Sequence, residues 1–175
     1  TYIGRISAEK STERTLGIME AVRKSVPDAR LALIGAGPQL DQLRRTMDRD
    51  WVTFTGYLSG DELHKAYASG DALIFPSTTE TLGFAALEAF ASGVPVVGAH
   101  AGGLPYVIDD GVTGFLVDPG EPDERWARPI IELLTRPELR ECMSGAAREE
   151  ALKWSWRTAT ERLVEFYEEA RASKS

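Results

Sequence analysis

The chain has 175 residues, the length of one domain. With 43% hydrophobic and 27% charged residues it has the composition of a globular protein, which excludes disorder as its main state. Twenty-seven acidic against twenty basic side chains give a net charge of −7, which argues against a nucleic-acid partner while leaving room for a local basic pocket.

In chain order, short β-rich runs alternate with amphipathic stretches. Tyr2–Gly4 reads as the tail of a strand, so an excised domain lacking an upstream portion is expected. Ser11 or Thr12 is placed to cap a helix whose stripe is Leu16, Met19, Val22 and Val26. Leu31–Gly35 is an apolar strand. Gly35-Ala36-Gly37-Pro38 turns the chain into a helix marked by Leu40, Leu43 and Met47. Val52–Thr55 is a third strand ending at Gly56, and Ser59 with Glu62 forms a capping-box pattern before Leu63, Ala66 and Tyr67. Asp71–Phe75 is a fourth strand, followed by a loop into a helix that starts near Leu82 and stops at Gly93. Val94–Gly98 and Gly114–Val117 complete six strands, with a short helix at Leu104–Ile108 between them. Helices over Trp126–Leu134, Pro137–Leu152 and Ser155–Ala172 close the chain, with Trp154 and Trp156 at the last junction.

Six strands each followed by a helix predict an α/β fold. We expect a Rossmann-like open parallel sheet of about six strands with helices on both faces and strands buried on both sides. In such sheets ligands bind beyond the carboxyl ends of the strands. That rule selects Gly4-Arg5, Gly35–Pro38, Thr55–Leu58, Pro76–Phe84 and His100–Gly103.

Arg5 and Lys10 flank the first strand–helix turn, where a guanidinium fork and an ammonium can hold a diphosphate; two solvated surface charges explain them about as well. The glycines at 35 and 37 make a weak dinucleotide signature, because position 40 is Leu and the turn follows the second strand. No GxxxxGK[ST] run occurs. The segment Pro76–Pro95 is denser. Glu80 sits in a loop, Gly83 permits close backbone approach, and Glu88 lies about two turns on, in a helix of Ala, Leu and Phe. Carboxylates suit polyols, and amides with Arg and Lys suit phosphates, so one surface offers both halves of a sugar nucleotide. His64, His100 and Cys142 make no metal-ligand pattern, and no metal is expected. A lone cysteine permits no intramolecular disulfide, in keeping with a reducing compartment. No 18-residue apolar span and no targeting segment is seen.

Gly4-Arg5-x4-Lys10, the Glu80-x7-Glu88 pair and Ala-x-Gly93-x-Pro95-Val-Val together resemble the nucleotide-sugar half of family 4 glycosyltransferases of the GT-B type. The resemblance covers the whole chain and is nearest to the sulfoquinovosyl transferases, which use UDP-sulfoquinovose and diacylglycerol. It implies that residues 1–175 are a single donor-binding C-terminal domain, with an N-terminal acceptor domain outside this chain. It implies a retaining transferase without a bound metal or cofactor, whose partners are a UDP- or GDP-sugar, the missing domain and a lipid acceptor. The location it implies is cytoplasm or plastid stroma, at a membrane surface.

On that resemblance Arg5 and Lys10 hold the donor diphosphate. Glu80, Leu82, Gly83 and Phe84 line the sugar, Glu88 binds the ribose, and Gly56, Tyr57 and Leu58 meet the base edge. Members often read Glu-x-Phe-Gly where this chain has Glu80-Thr-Leu-Gly83-Phe84, which weakens the packing role at position 82. Mannosyl and glucosyl transferases carry similar segments. A dinucleotide-dependent enzyme would place an acidic residue where Gly35 ends the second strand. A non-catalytic nucleotide-binding or interaction domain is the remaining rival.

Overall fold

The computed structural model describes residues 1–172. Six parallel strands, β1 (Tyr2–Ile3), β2 (Leu31–Ile34), β3 (Val52–Gly56), β4 (Leu73–Phe75), β5 (Val96–Ala99) and β6 (Gly114–Val117), fall into two three-stranded sheets, β1-β2-β3 and β4-β5-β6. Register is set by pairs such as Tyr2 with Leu33 and Val97 with Phe115. The sheets meet along β1 and β4, where the Ile74 N–H donates to the Thr1 carbonyl at 2.8 Å. The order across the molecule is therefore β3-β2-β1-β4-β5-β6. This is the doubly wound arrangement, with its switch point between β1 and β4.

Buried apolar runs explain the central strands: every residue of β1, β4 and β5 is buried. The expectation that all six strands are buried on both faces needs correction at the edges. In β3, Val52 and Phe54 are half-buried while Thr53 and Thr55 are exposed, and Phe115, Leu116 and Val117 of β6 are half-buried. An edge strand has a neighbour on one side only, so part of its surface meets solvent.

The helices are α1 (Arg14–Arg23), α2 (Leu40–Thr46), α3 (Gly60–Ala68), α4 (Phe84–Ala91), α5 (Asp123–Thr135), α6 (Pro137–Lys153) and α7 (Trp156–Ala172). α1 packs on α5, and α4 packs on α6. Arg14 ties the first pair together, with Nε on Asp123 at 3.1 Å and its guanidinium 5.0 Å above the buried Trp126 ring. The Ser11 or Thr12 cap is not formed. Residues Ala8–Lys10 make a 3-10 turn, Ser11 is left-handed, and α1 starts at Arg14. Thr12 instead donates to the Tyr2 hydroxyl at 3.0 Å, a contact ten residues away. Ser59 does occupy the position before α3, but makes no side-chain capping bond.

α7 stands apart from the core. Its described side chains are exposed, including Leu163, Val164, Phe166 and Tyr167, and Trp154 before it is 39% exposed. Trp154 is thus not part of the core, and the Trp156 side chain lies outside the described residues.

Candidate functional site

At the switch point the β1 and β4 strands end side by side, and the loops that follow them are in contact, the Thr79 hydroxyl donating to the Glu9 carbonyl at 3.3 Å. The β1 loop is held by Tyr2, whose hydroxyl donates to the Arg5 carbonyl at 2.8 Å and accepts from Thr12. Burial pushes ionisation of this phenol up to about 12, so the hydroxyl keeps its donor proton. The loop also lies tight on the β2 loop. Ile6 N–H donates to Ala36 O at 3.0 Å, and a Cβ at Gly35 (φ 140°) would stand 1.9 Å from the Gly4 carbonyl oxygen. The glycines at 35 and 37 thus serve loop-on-loop packing, a Gly37 Cβ likewise meeting Ile6 O at 2.1 Å.

A cavity of about 330 Å³ opens there. Gly4 and Arg5 come from β1, Gly35 and Ala36 from β2, Tyr57 and Leu58 from the end of β3, and Tyr67, Ala85 and Glu88 from α3 and α4. Four expected site residues, Arg5, Tyr57, Leu58 and Glu88, therefore share one cavity. The Arg5 side chain is 65% exposed, with only a 3.8 Å contact to Glu9, and is free to turn to a ligand. Tyr57 is 76% exposed, an open aromatic face.

Glu80 and Lys10 are arranged differently. Lys10 Nζ and Glu80 Oε1 stand 2.5 Å apart, an ion pair that joins the β1 loop to the β4 loop across the switch point. Their side chains are 22% and 13% exposed, so the pair is largely shielded from water. These two residues, expected at separate parts of a ligand, are joined to each other in the structure. The Glu80 loop is fixed by backbone, with Gly103 N–H donating to Glu80 O at 2.7 Å.

Gly56, Leu82, Gly83 and Phe84 do not line the cavity. Gly56 O accepts from Gly35 N–H at 2.9 Å and so ties β3 to the glycine turn. α4 starts at Phe84, two residues later than expected near Leu82, because Gly83 takes the left-handed conformation (φ 78°) and forms the cap. A Cβ there would meet Leu104 Cδ2 at 2.7 Å. Leu82 is half-buried, while Phe84 is 66% exposed at the first turn.

Tyr67, expected only as part of the helical stripe of α3, belongs to the site. It is 2% exposed, and its hydroxyl donates to Glu88 Oε2 at 2.7 Å. No local spacing links positions 67 and 88, which lie on different helices. The histidines stay outside: His64 is exposed on α3, and His100 Nδ1 lies 3.3 Å from Asp118 Oδ1 with both side chains exposed. Among the described residues, no group of three His, Cys, Asp or Glu could hold a metal ion.

Residues 1–150 match the family model described as "Glycosyl transferases group 1". The sulfoquinovosyl transferase SQD2 of Arabidopsis thaliana is 44% identical over 165 residues, covering 93% of this chain and 31% of that protein. The D-inositol 3-phosphate glycosyltransferase of Saccharomonospora viridis is 37% identical over 185 residues, covering 98% of this chain and 43% of that one. Among solved structures, sucrose-phosphate synthase from Thermosynechococcus elongatus superposes with a TM-score of 0.83 at 26% identity, over 98% of this chain and 45% of that chain. Anabaena HepE in complex with UDP does so with a TM-score of 0.81 at 24% identity, over 96% and 48%. The chain thus spans less than half the length of these relatives, and its fold is one half of a GT-B architecture. The relatives divide among several kinds of sugar transferase, so the likeness reaches the family and stops short of the sulfoquinovosyl subgroup. The chain belongs to the group 1 glycosyl transferases.

Proposed function

We propose that this chain is the nucleotide-sugar-binding domain of a retaining glycosyltransferase, with a UDP-sugar as donor and a lipid as acceptor. One observation carries the reading. The cavity at the switch point brings together an exposed guanidinium, Arg5 in the loop after β1, and a carboxylate, Glu88 on α4, in a chain whose relatives include a sulfoquinovosyl transferase. Anabaena HepE, of the same fold, holds UDP. The cavity's volume of about 330 Å³ in this chain lies within the range of small-molecule sites, about 300–1,000 Å³.

Each role follows from chemistry. Arg5 and Lys10 hold the diphosphate and stabilise the charge that gathers on it as the sugar leaves. They supply the positive charge that this leaving group needs. Glu88 accepts from ribose hydroxyls, and Tyr57 and Leu58 with Gly56 meet the base edge. Glu80, with Leu82, Gly83 and Phe84, faces the sugar. A second domain brings the acceptor, and the exposed apolar residues of α7 suit contact with it. The chain alone then binds donor without transferring sugar, because half a cleft cannot position two reactants. No helix among the described residues is long and apolar enough to cross a membrane, and we place the protein at a membrane surface, in the cytoplasm or plastid stroma. Mannosyl or glucosyl transfer from a GDP- or UDP-sugar is the second reading, supported by the GDP-mannose-dependent relative of Mycobacterium tuberculosis at 33% identity.

A thermal-unfolding panel of UDP, UDP-glucose, GDP-mannose and NAD tests this. A ligand at a hundred times its dissociation constant adds about 2.7 kcal/mol of stability. UDP ligands should stabilise and NAD should not. Stabilisation by NAD alone would overturn the reading.

A further inference from the structure

Glu88 offers two carboxylate oxygens, and the structure commits one of them. The Tyr67 hydroxyl on α3 donates to Oε2 at 2.7 Å, and both side chains line the cavity. Their burial differs sharply: Tyr67 is 2% exposed, whereas Glu88 lies on the exposed side of α4. A rigid, buried phenol thus reaches up to a carboxylate that would otherwise turn freely in water.

Burial first, and then the bond to Glu88, hold the Tyr67 ionisation well above its ordinary value, so the hydroxyl remains a donor. The carboxylate in turn can only accept. With Oε2 engaged, Oε1 is left free, its direction fixed by the tether. The cavity's other contributors on this side, Leu63 and Ala85, are apolar and offer no competing donor.

We propose that Tyr67 is the positioning residue for ribose recognition: its hydroxyl fixes the Glu88 carboxylate so that the free oxygen accepts from a nucleotide's ribose 2′-hydroxyl. This rests on the reading that the cavity takes a nucleoside diphosphate. It separates Tyr67 from a residue that only packs α3 against α4, since packing needs the ring and positioning needs the oxygen.

Tyr67→Phe keeps the ring and removes the oxygen. The Glu88 carboxylate it releases is already solvent-exposed, so the fold should survive, as thermal unfolding will show. Affinities for UDP and 2′-deoxy-UDP are measured by calorimetry on the wild type, Tyr67→Phe, Glu88→Gln and the double variant. The wild type should favour UDP by about tenfold, and each single variant should cut that preference to about twofold by weakening UDP alone. The double variant should lose no further preference, since both changes remove one device. Equal losses for the two ligands in Tyr67→Phe would mark a packing role and overturn the proposal. So would an unchanged preference in Tyr67→Phe beside a lost one in Glu88→Gln. A wild type that binds neither ligand would instead overturn the nucleotide reading of the cavity, and this inference with it.

Discussion

Two cavities open at opposite ends of the parallel strands. The one at the carboxyl ends of the strands holds about 330 Å³, and the one at the amino ends holds about 560 Å³. The larger is the poorer candidate. Its walls include Val26 and Ala29, just past the end of α1, and Ser69 and Gly70, just past the end of α3. Helix carboxyl ends present carbonyls and negative dipole charge, which repel an anion. The smaller cavity takes in Gly35, Ala36, Tyr57 and Leu58, which lead into α2 and α3, and Ala85 in the first turn of α4. There the helix ends present N–H groups and positive dipole charge. Because every strand runs the same way, the helices that follow strands start at one end, while α6, which follows α5 directly, starts at the other. Strand direction, rather than volume, decides which end suits a diphosphate.

The largest expected effect breaks this contrast at its charged side. Replacing Arg5 and Lys10 together by Ala should lower UDP affinity by about 100-fold or more, since each charge-assisted bond contributes roughly 1.5–3 kcal/mol. Uridine, which has no phosphate, should change by about twofold at most. Parallel calorimetric titrations of both ligands make the check. Equal losses would mean that the β1 loop had collapsed and that the two cations have no phosphate role.

Next in size is Glu88→Ala, which should weaken UDP roughly 10- to 150-fold while leaving the unfolding temperature near that of the parent. The carboxylate is exposed, and its one bonding partner, the Tyr67 hydroxyl, lines the open cavity, so water can replace it. Unchanged UDP affinity would remove Glu88 from the site.

A smaller effect of opposite sign is expected at the ion pair. In the free protein Glu80 neutralises Lys10 at 2.5 Å. UDP, with a terminal β-phosphate, must recruit Lys10 beside that carboxylate. A nucleotide sugar carries less charge on its esterified phosphate and brings hydroxyls that the carboxylate can accept. Glu80→Gln should therefore bind UDP about fivefold more tightly and gain nothing for UDP-glucose. Competition titration of the two ligands measures the ratio, and a fall in UDP affinity would contradict the argument.

The two ends also differ in how well the sequence announces them. Strands and helix order were legible because buried apolar runs such as Leu31–Ile34 and Val96–Ala99 and punctuating glycines are local signals. The loops at the carboxyl ends were legible as positions, and Arg5 and Glu88 do meet in one cavity. What escaped was long-range. The Thr12 hydroxyl chose Tyr2 over a helix cap, Lys10 chose Glu80 seventy residues away, and Tyr67 reached Glu88 across two helices. The delayed start of α4 was missed for a related reason: whether Gly83 caps in a left-handed turn depends on the room left by Leu104, which spacing does not report.

The smallest expected effect is at the amino-end cavity, and it serves as the control for all the others. Asp71 lines that cavity and stands 3.6 Å from Arg140 Nε, with a side chain 57% exposed. Exposed pairs of this kind contribute about 0–1 kcal/mol, because solvent screens the charges and ordering two side chains costs entropy. Asp71→Asn should shift stability by less than about 0.5 kcal/mol and leave UDP affinity unchanged within about 1.5-fold. The substitution removes a negative charge from the end of the sheet where helix carboxyl termini already disfavour anions. If that end did take the diphosphate, losing Asp71 would relieve repulsion and tighten UDP binding severalfold. Tighter binding by Asp71→Asn, together with indifference to Arg5→Ala, would move the nucleotide to the opposite end of the sheet and reverse the assignment of the two cavities.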